Sequence, residues 1–247
     1  MTAFSGSTAA AHGFSLIRRE PRAAMAWAAL SAAATVLVAW GAGQGAGVHA
    51  VTIAVDLLAS LAITGAALRA WTRPDDRAFA YVRLGRDEQR LLVCAVAALA
   101  PAVLVLAVLI RMTPTPPLLA GTILSLGVWA WYALRLIPAG ALSVRDRALR
   151  LGEAWAASRG LGVKLGLAVF LTFVFIVLSA MGLGLVTLIL QVLVTVAQGA
   201  KSLASPGPVM NLVSAALAGG LASVGLVLWA GIGVSVVSPP TPDQDAA

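Results

Sequence analysis

The chain is poor in the residues on which most protein chemistry depends. Its 247 residues include one cysteine, two histidines and 10 acidic side chains, and charged residues make up only 11%. A single cysteine, Cys94, excludes an internal disulfide framework. The histidines, His12 and His49, lie far apart. The sequence has no His-Glu-x-x-His and no Cys-x-x-Cys, so it offers no recognisable metal ligands. Both histidines are read as lying outside the apolar spans, so a buried Ser-His site is not expected. The glycine-rich stretch from Gly41 to Gly47 is not followed by the Lys-Ser/Thr pair of a phosphate loop. An intramembrane aspartyl enzyme needs two carboxylates sharing a proton, and the apolar segments supply only Asp56. The sequence therefore predicts no catalytic residue, no cofactor and no metal site, and hence a protein that is not an enzyme.

The scarcity of charge also bears on the setting. Soluble domains carry about 25% charged residues. Here 60% of the chain is apolar and the mean hydropathy is +0.93. So few polar side chains cannot cover the surface of a water-soluble globule. Disorder is excluded by the same numbers, because disordered chains are poor in apolar residues. The composition points to an all-α polytopic transmembrane bundle, built from apolar helices of about 20 residues per crossing.

Six spans are predicted, at about 23–40, 48–68, 91–110, 118–136, 165–184 and 209–237. They form a transmembrane domain over 23–237, between a tail at 1–22 and a tail at 238–247. Residues 1–17, small and polar, are expected to be poorly ordered. The positive residues before Ala23 resemble the start of a signal peptide, but the leader is long and the core exceeds the usual ~7–15 residues, which favours an uncleaved span. Pro101 is expected to kink the third span, and Pro138 to end the fourth. The apolar run from Leu165 to Gln198 would be about 51 Å long as one straight helix. A break at Gly182 and Gly184 is expected, with the remainder at the far face. The alternative is a hairpin of two short crossings.

Net charge is +7, from 17 Lys and Arg against 10 acidic residues. On a soluble protein this excess would suggest nucleic acid. Here its distribution argues otherwise. With six crossings and the N-terminus inside, 15 positive residues fall on the inner side and only Arg111 and Lys201 on the outer. That asymmetry predicts both termini in the cytoplasm, and partners that are membrane lipids, anionic ones foremost, with no nucleic acid. Seven crossings would move Lys201 inside and the C-terminus outside. Trp27, Trp71, Trp129, Trp131 and Tyr132 are expected at the inner boundary, and Trp40 at the outer.

Two basic loops are predicted to carry amphipathic interfacial helices. In the first, Thr72-Arg73-Pro74-Asp75 offers a capped helix start, and Asp87 and Glu88 suit the first turn of the third span. In the second, Ser143-Val144-Arg145-Asp146 resembles a capping box, and Gly160 a stop. Arg77, Arg83, Arg86, Arg145, Arg147 and Arg150 are the candidate contacts for lipid headgroups. Simple anchoring of the spans is the plainer reading of the same helices.

Asp56 is the one carboxylate inside a predicted span. Such a group faces protein or water, pairs, or stays protonated. Gln191 and Asn211 are its candidate neutral partners, and Arg111 or Lys201 its candidate charged ones. A proton or ion pathway is the functional reading, and an interhelical hydrogen bond the structural one. Small residues four apart, such as Gly219 and Ser223 or Gly162 and Gly166, would let helices approach closely, within the chain rather than between chains.

Three stretches carry a resemblance: Phe14-Ser15-Leu16-Ile17-Arg18-Arg19-Glu20-Pro21, Tyr81-Val82-Arg83-Leu84-Gly85-Arg86-Asp87-Glu88-Gln89-Arg90-Leu91-Leu92, and Arg135-Leu136-Ile137-Pro138 with Ala148-Leu149-Arg150-Leu151-Gly152-Glu153-Ala154-Trp155. With these the chain resembles a group of bacterial multi-pass inner-membrane proteins of unassigned activity. They are similar to the membrane domain ahead of some glycerophosphodiester phosphodiesterases. The resemblance implies a six-helix membrane domain in a bacterial inner membrane. A catalytic barrel of about 250 residues does not fit in this chain, so the phosphodiesterase activity is not expected to carry over. Two functions remain: a lipid-interaction or assembly-support protein, or a small transporter or permease-like subunit using Asp56.

Overall fold

The computed structural model describes residues 6–75, 78–111, 116–197 and 208–237. Among them the chain is entirely helical. It runs α1 (Gly6–Arg19), α2 (Pro21–Gly41), α3 (Ala46–Thr72), a 3-10 turn (Ala78–Tyr81), α4 (Arg86–Arg111), α5 (Pro116–Arg145), α6 (Leu151–Ala157), α7 (Gly162–Ala197) and α8 (Pro208–Val237). Among the described residues five helical segments are long and apolar enough to cross a membrane: Pro21–Gly41, Ala46–Thr72, Phe79–Val105, Gly162–Val196 and Met210–Val237. They are consistent with a multi-pass membrane protein.

Burial is concentrated at one end of the bundle. The core combines Leu16, Trp27, Ile63, Ala66, Leu91, Val144 and Val227, from six helices. A smaller cluster sets Ala9 and Ile137 against Leu165 and Ile232. Leu16, Trp27, Ile63, Ala66, Leu91 and Val144 lie toward the arginine-bearing ends of their helices. Farther along, Val51, Leu57, Leu104, Leu124, Leu178 and Leu193 are exposed. The bundle is thus tightly joined at its arginine-rich end and open along its far half.

Small residues make the tight joints. A Cβ placed on Gly231 would meet the backbone nitrogen of Gly13 at 2.5 Å, and one on Gly13 would meet Leu228 Cα at 2.5 Å. Gly219 approaches α2 equally closely, with a Cβ meeting Ser31 O at 2.6 Å. These are contacts of backbone with backbone, and only glycine admits them. At Gly219 the small-residue spacing serves packing within the chain, whereas Gly162 has open space around it.

Four expectations are corrected. The first tail is not disordered over 6–19. Ala9, Gly13 and Leu16 share one helical face, and this stripe seats α1 on α8. The chain then turns at Glu20, because a residue before proline is kept from the helical region and Pro21 opens α2. The long apolar run does not break at Gly182 and Gly184, since α7 is continuous over 36 residues. A helical glycine costs only about 1 kcal/mol relative to alanine, and here nothing presses on either one. Pro138 does not end the fourth apolar helix, because α5 carries on to Arg145. The missing hydrogen bond costs about 3 kcal/mol. Burial of Leu136, Ile137, Ala139, Leu142 and Val144 on both sides of the proline opposes that cost.

The fourth correction concerns the two amphipathic helices expected in the basic loops. In the first loop, α3 runs through Thr72, and the described residues before α4 form only the 3-10 turn. In the second, Ser143 and Val144 are buried at the end of α5, and α6 has just seven residues. The residues that would have initiated these helices are drawn inward instead. Arg73 donates to Val144 O, and Ser143 Oγ accepts the Arg150 N–H at 3.2 Å at the start of α6.

Candidate functional site

The arginine-rich end holds a buried ionic staple. Arg69, in the last turn of α3, is 0% exposed. Its Nη1 lies 2.5 Å from Glu88 Oε1, while Nε and Nη2 both donate to the Tyr81 carbonyl at 3.0 and 2.7 Å. Asp87 sits beside Glu88 in the first turn of α4. Its carboxylate meets Arg73 at 3.1 Å, Arg90 at 2.8 Å, Arg69 at 3.7 Å and Arg83 at 3.9 Å. Four guanidinium groups therefore surround two carboxylates. The first turn of a helix favours negative charge, so α4 begins where its dipole adds to these pairs.

The backbone around the staple is unusual. Phe79, Ala80 and Tyr81 have φ of 50°, 54° and 64°, in the left-handed region. Each such residue costs on the order of 1–2 kcal/mol outside glycine. The turn aims successive carbonyls inward. Ala80 O accepts Trp27 Nε1 at 2.9 Å, and Tyr81 O accepts Arg69. The Tyr81 hydroxyl donates to Pro74 O at 3.1 Å. Gly65 clears the approach, because a Cβ there would lie 2.6 Å from Glu88 Oε1. The staple thus joins α2, α3, α4 and the end of α5 around one fully buried guanidinium.

Two further polar joints lie nearby. Arg135 donates to Ser158 O at 2.7 Å and stacks over Trp131 and Trp155, with ring centroids at 5.1 and 5.9 Å. This ties α6 to α5. On α1, His12 meets Trp71 edge-on at 5.1 Å, and Arg19 lies over the same indole at 5.6 Å. Burial pushes the His12 imidazole below its usual range, and its Nδ1 has no hydrogen-bond partner among the described residues.

Of the candidate lipid contacts, Arg83, Arg86, Arg145 and Arg147 are exposed and Arg150 is half-buried. Arg145 pairs with Asp146 at 2.7 Å, which raises the guanidinium pKa and holds the carboxyl below its usual range. Arg150 pairs with Asp146 and Glu153. Arg77 lies outside the described residues. Asp56 is half-buried on α3 and makes no hydrogen bond or ion pair among the described residues. Gln191 on α7 is half-buried and already engaged, and Asn211 on α8 is exposed. No hydrogen bond among the described residues joins either one to Asp56. Lys201 and the side chain of Arg111 lie outside the described residues.

Sequence reasoning missed Arg69, Tyr81 and Trp27 as parts of one site. Trp27, expected at a boundary, is 0% exposed. One signal was present: Arg69 stands among Ala66, Ala67, Leu68 and Ala70, inside an apolar run rather than beyond it. Asp87 and Glu88, one turn into the next apolar helix, are the matching counter-charges. Comparison with known proteins adds no relative, since no family model, curated protein or solved structure matches the chain.

Proposed function

We propose that this chain is a six-span bacterial inner-membrane protein without catalytic chemistry, which binds anionic lipid headgroups at its cytoplasmic face in a lipid-interaction or assembly-support role. In this reading α2, α3, α4, α5, α7 and α8 cross the bilayer, and both termini lie inside. The observation that carries it is the division of the surface. Arg83, Arg86 and Arg147 project at the same end as the ionic staple, while the flanks of the helices expose Val, Leu, Ile and Phe. Arginines at that level attract anionic lipids at about 1 kcal/mol each. The staple fixes the helix ends that carry them, so the basic face is rigid. The resemblance to bacterial inner-membrane domains agrees with this assignment.

The test is quenching of tryptophan fluorescence by brominated lipids after reconstitution. Brominated phosphatidylglycerol is expected to compete for the protein surface better than brominated phosphatidylcholine, and substitution of Arg83, Arg86 and Arg147 by Gln to narrow the difference. Equal competition by the two lipids would defeat the reading.

One observation favours a second reading. Asp56 stands about 15 Å from the far end of α3, without a partner among the described residues, in the open half of the bundle. A transporter or permease-like subunit would use such a group as a proton or cation carrier. Cysteine labelling around position 56 tests it: uniform blockage from both sides removes the transport reading.

A further inference from the structure

We propose that the corner between α1 and α2 holds one anionic phospholipid, its phosphate at Arg18 and Arg22 and one acyl chain in the recess between α2 and α8. The proposal rests on the membrane reading above and adds a specific site to its diffuse basic face. The recess has a volume of about 280 Å³. Ile17, Pro21, Ala24 and Ala28 form one wall, Val224 and Val227 the other. From Pro21 to Ala28 it follows α2 for about 10 Å, a length suited to the upper part of an acyl chain.

The recess offers nothing to a polar ligand. Its floor is Trp27, whose only polar atom is bonded to Ala80 O. Its one hydroxyl, Ser223 Oγ, donates to Gly220 O at 2.7 Å within its own helix. Where such an open apolar recess faces a bilayer, its lining favours hydrocarbon over water.

The residues next in the chain to its wall are of the opposite character. Arg18 and Arg22 directly follow the wall residues Ile17 and Pro21. Both are exposed, and neither makes an ion pair or hydrogen bond among the described residues. Arg69, Arg73, Arg90, Arg145 and Arg150, in contrast, all have acidic partners. Glu20, the carboxylate between them in sequence, is already engaged. Two uncompensated guanidinium groups suit a phosphodiester, whose oxygens accept paired N–H donors. The first turn of α2 adds the positive end of its dipole at the same place. Charge beside the recess and hydrocarbon at its floor match a phospholipid's own headgroup and chain.

The experiment uses the full chain in detergent, with native mass spectrometry after titration with phosphatidylglycerol or phosphatidylcholine. One phosphatidylglycerol per chain is expected to stay bound, with phosphatidylcholine at least tenfold weaker. Arg18→Gln with Arg22→Gln is expected to weaken phosphatidylglycerol retention at least tenfold, and Ala28→Phe to abolish it by filling the recess. Arg159→Gln, at an exposed position beyond α6, is expected to leave this retention unchanged. The paired arginine variant lies on exposed positions, so it decides the matter even if Ala28→Phe fails to fold. Retention undiminished in the arginine pair, or equal retention of the two lipids, overturns the proposal. The bulk lipid preference is read separately by quenching. A lipid retained without that preference would sink the broader reading and leave this site standing, and a preference without a retained lipid would do the reverse.

Discussion

Replacing Glu88 by Ala removes the counter-charge of a guanidinium that no solvent reaches. Arg69 is 0% exposed and the Glu88 side chain 6%, with 2.5 Å between the charged atoms. The remaining acceptors of Arg69 would be the Tyr81 carbonyl and, at 3.7 Å, an Asp87 already shared among three other arginines. Removing one partner of a buried pair costs about 3–5 kcal/mol, because the other charge stays behind uncompensated. At roughly 2–4 °C per kcal/mol for a chain of this size, thermal unfolding in detergent is expected about 6–20 °C lower. Two comparisons separate this cause from general damage. Glu153→Ala breaks an exposed pair with Arg150 and is expected to cost no more than about 1 kcal/mol. The double change Arg69→Met with Glu88→Leu removes both charges and is expected to recover part of the loss. A Glu88→Ala protein that melts within about 4 °C of the original, roughly 1 kcal/mol, would refute the reasoning.

Other perturbations read different joints. Gly231→Ala places a Cβ 2.5 Å from the Gly13 backbone, so α1 is expected to leave α8; faster proteolytic cleavage near Glu20 is the measurement. His12 is held below its usual pKa by burial, so the neutral form is the folded form. The stability this confers is complete above about pH 6.5 and is lost as pH falls toward the lowered folded value. Melting of the original chain is expected to drop between pH 7.5 and 5.5, and that of His12→Phe to drop less. Arg147 adopts φ 53°, so Arg147→Gly is expected to stabilise the turn before α6 by about 1 kcal/mol, seen as a rise of a few degrees in melting.

The helices were legible because composition and run length dictate them. Charge scarcity demanded apolar helices, and α2, α3, α4 and α8 cover the predicted spans and extend beyond them. Their ends were less legible, because terminators act locally while burial acts globally. Pro138 and the pair Gly182 and Gly184 are terminators by propensity, yet α5 and α7 run through them. The first helix was overlooked because its small residues, Ala9 and Gly13, look like linker when counted and like a packing face only when spaced. The staple was overlooked for a related reason. Arginines were sorted by sidedness, which treats Arg69 and Arg83 alike, although one is fully buried and the other exposed. Distance in sequence hid the rest: Trp27 and Ala80 are 53 residues apart, and Arg73 and Val144 are 71.

Sidedness is the claim on which the rest depends, and labelling measures it directly. On a background in which Cys94 is replaced by Ala, one cysteine is introduced by Gly43→Cys in the turn between α2 and α3, or by Arg86→Cys at the start of α4. An impermeant maleimide applied to intact cells is expected to label position 43 at once and position 86 only after the membrane is opened. Labelling of position 86 in intact cells, with position 43 protected, would contradict the account.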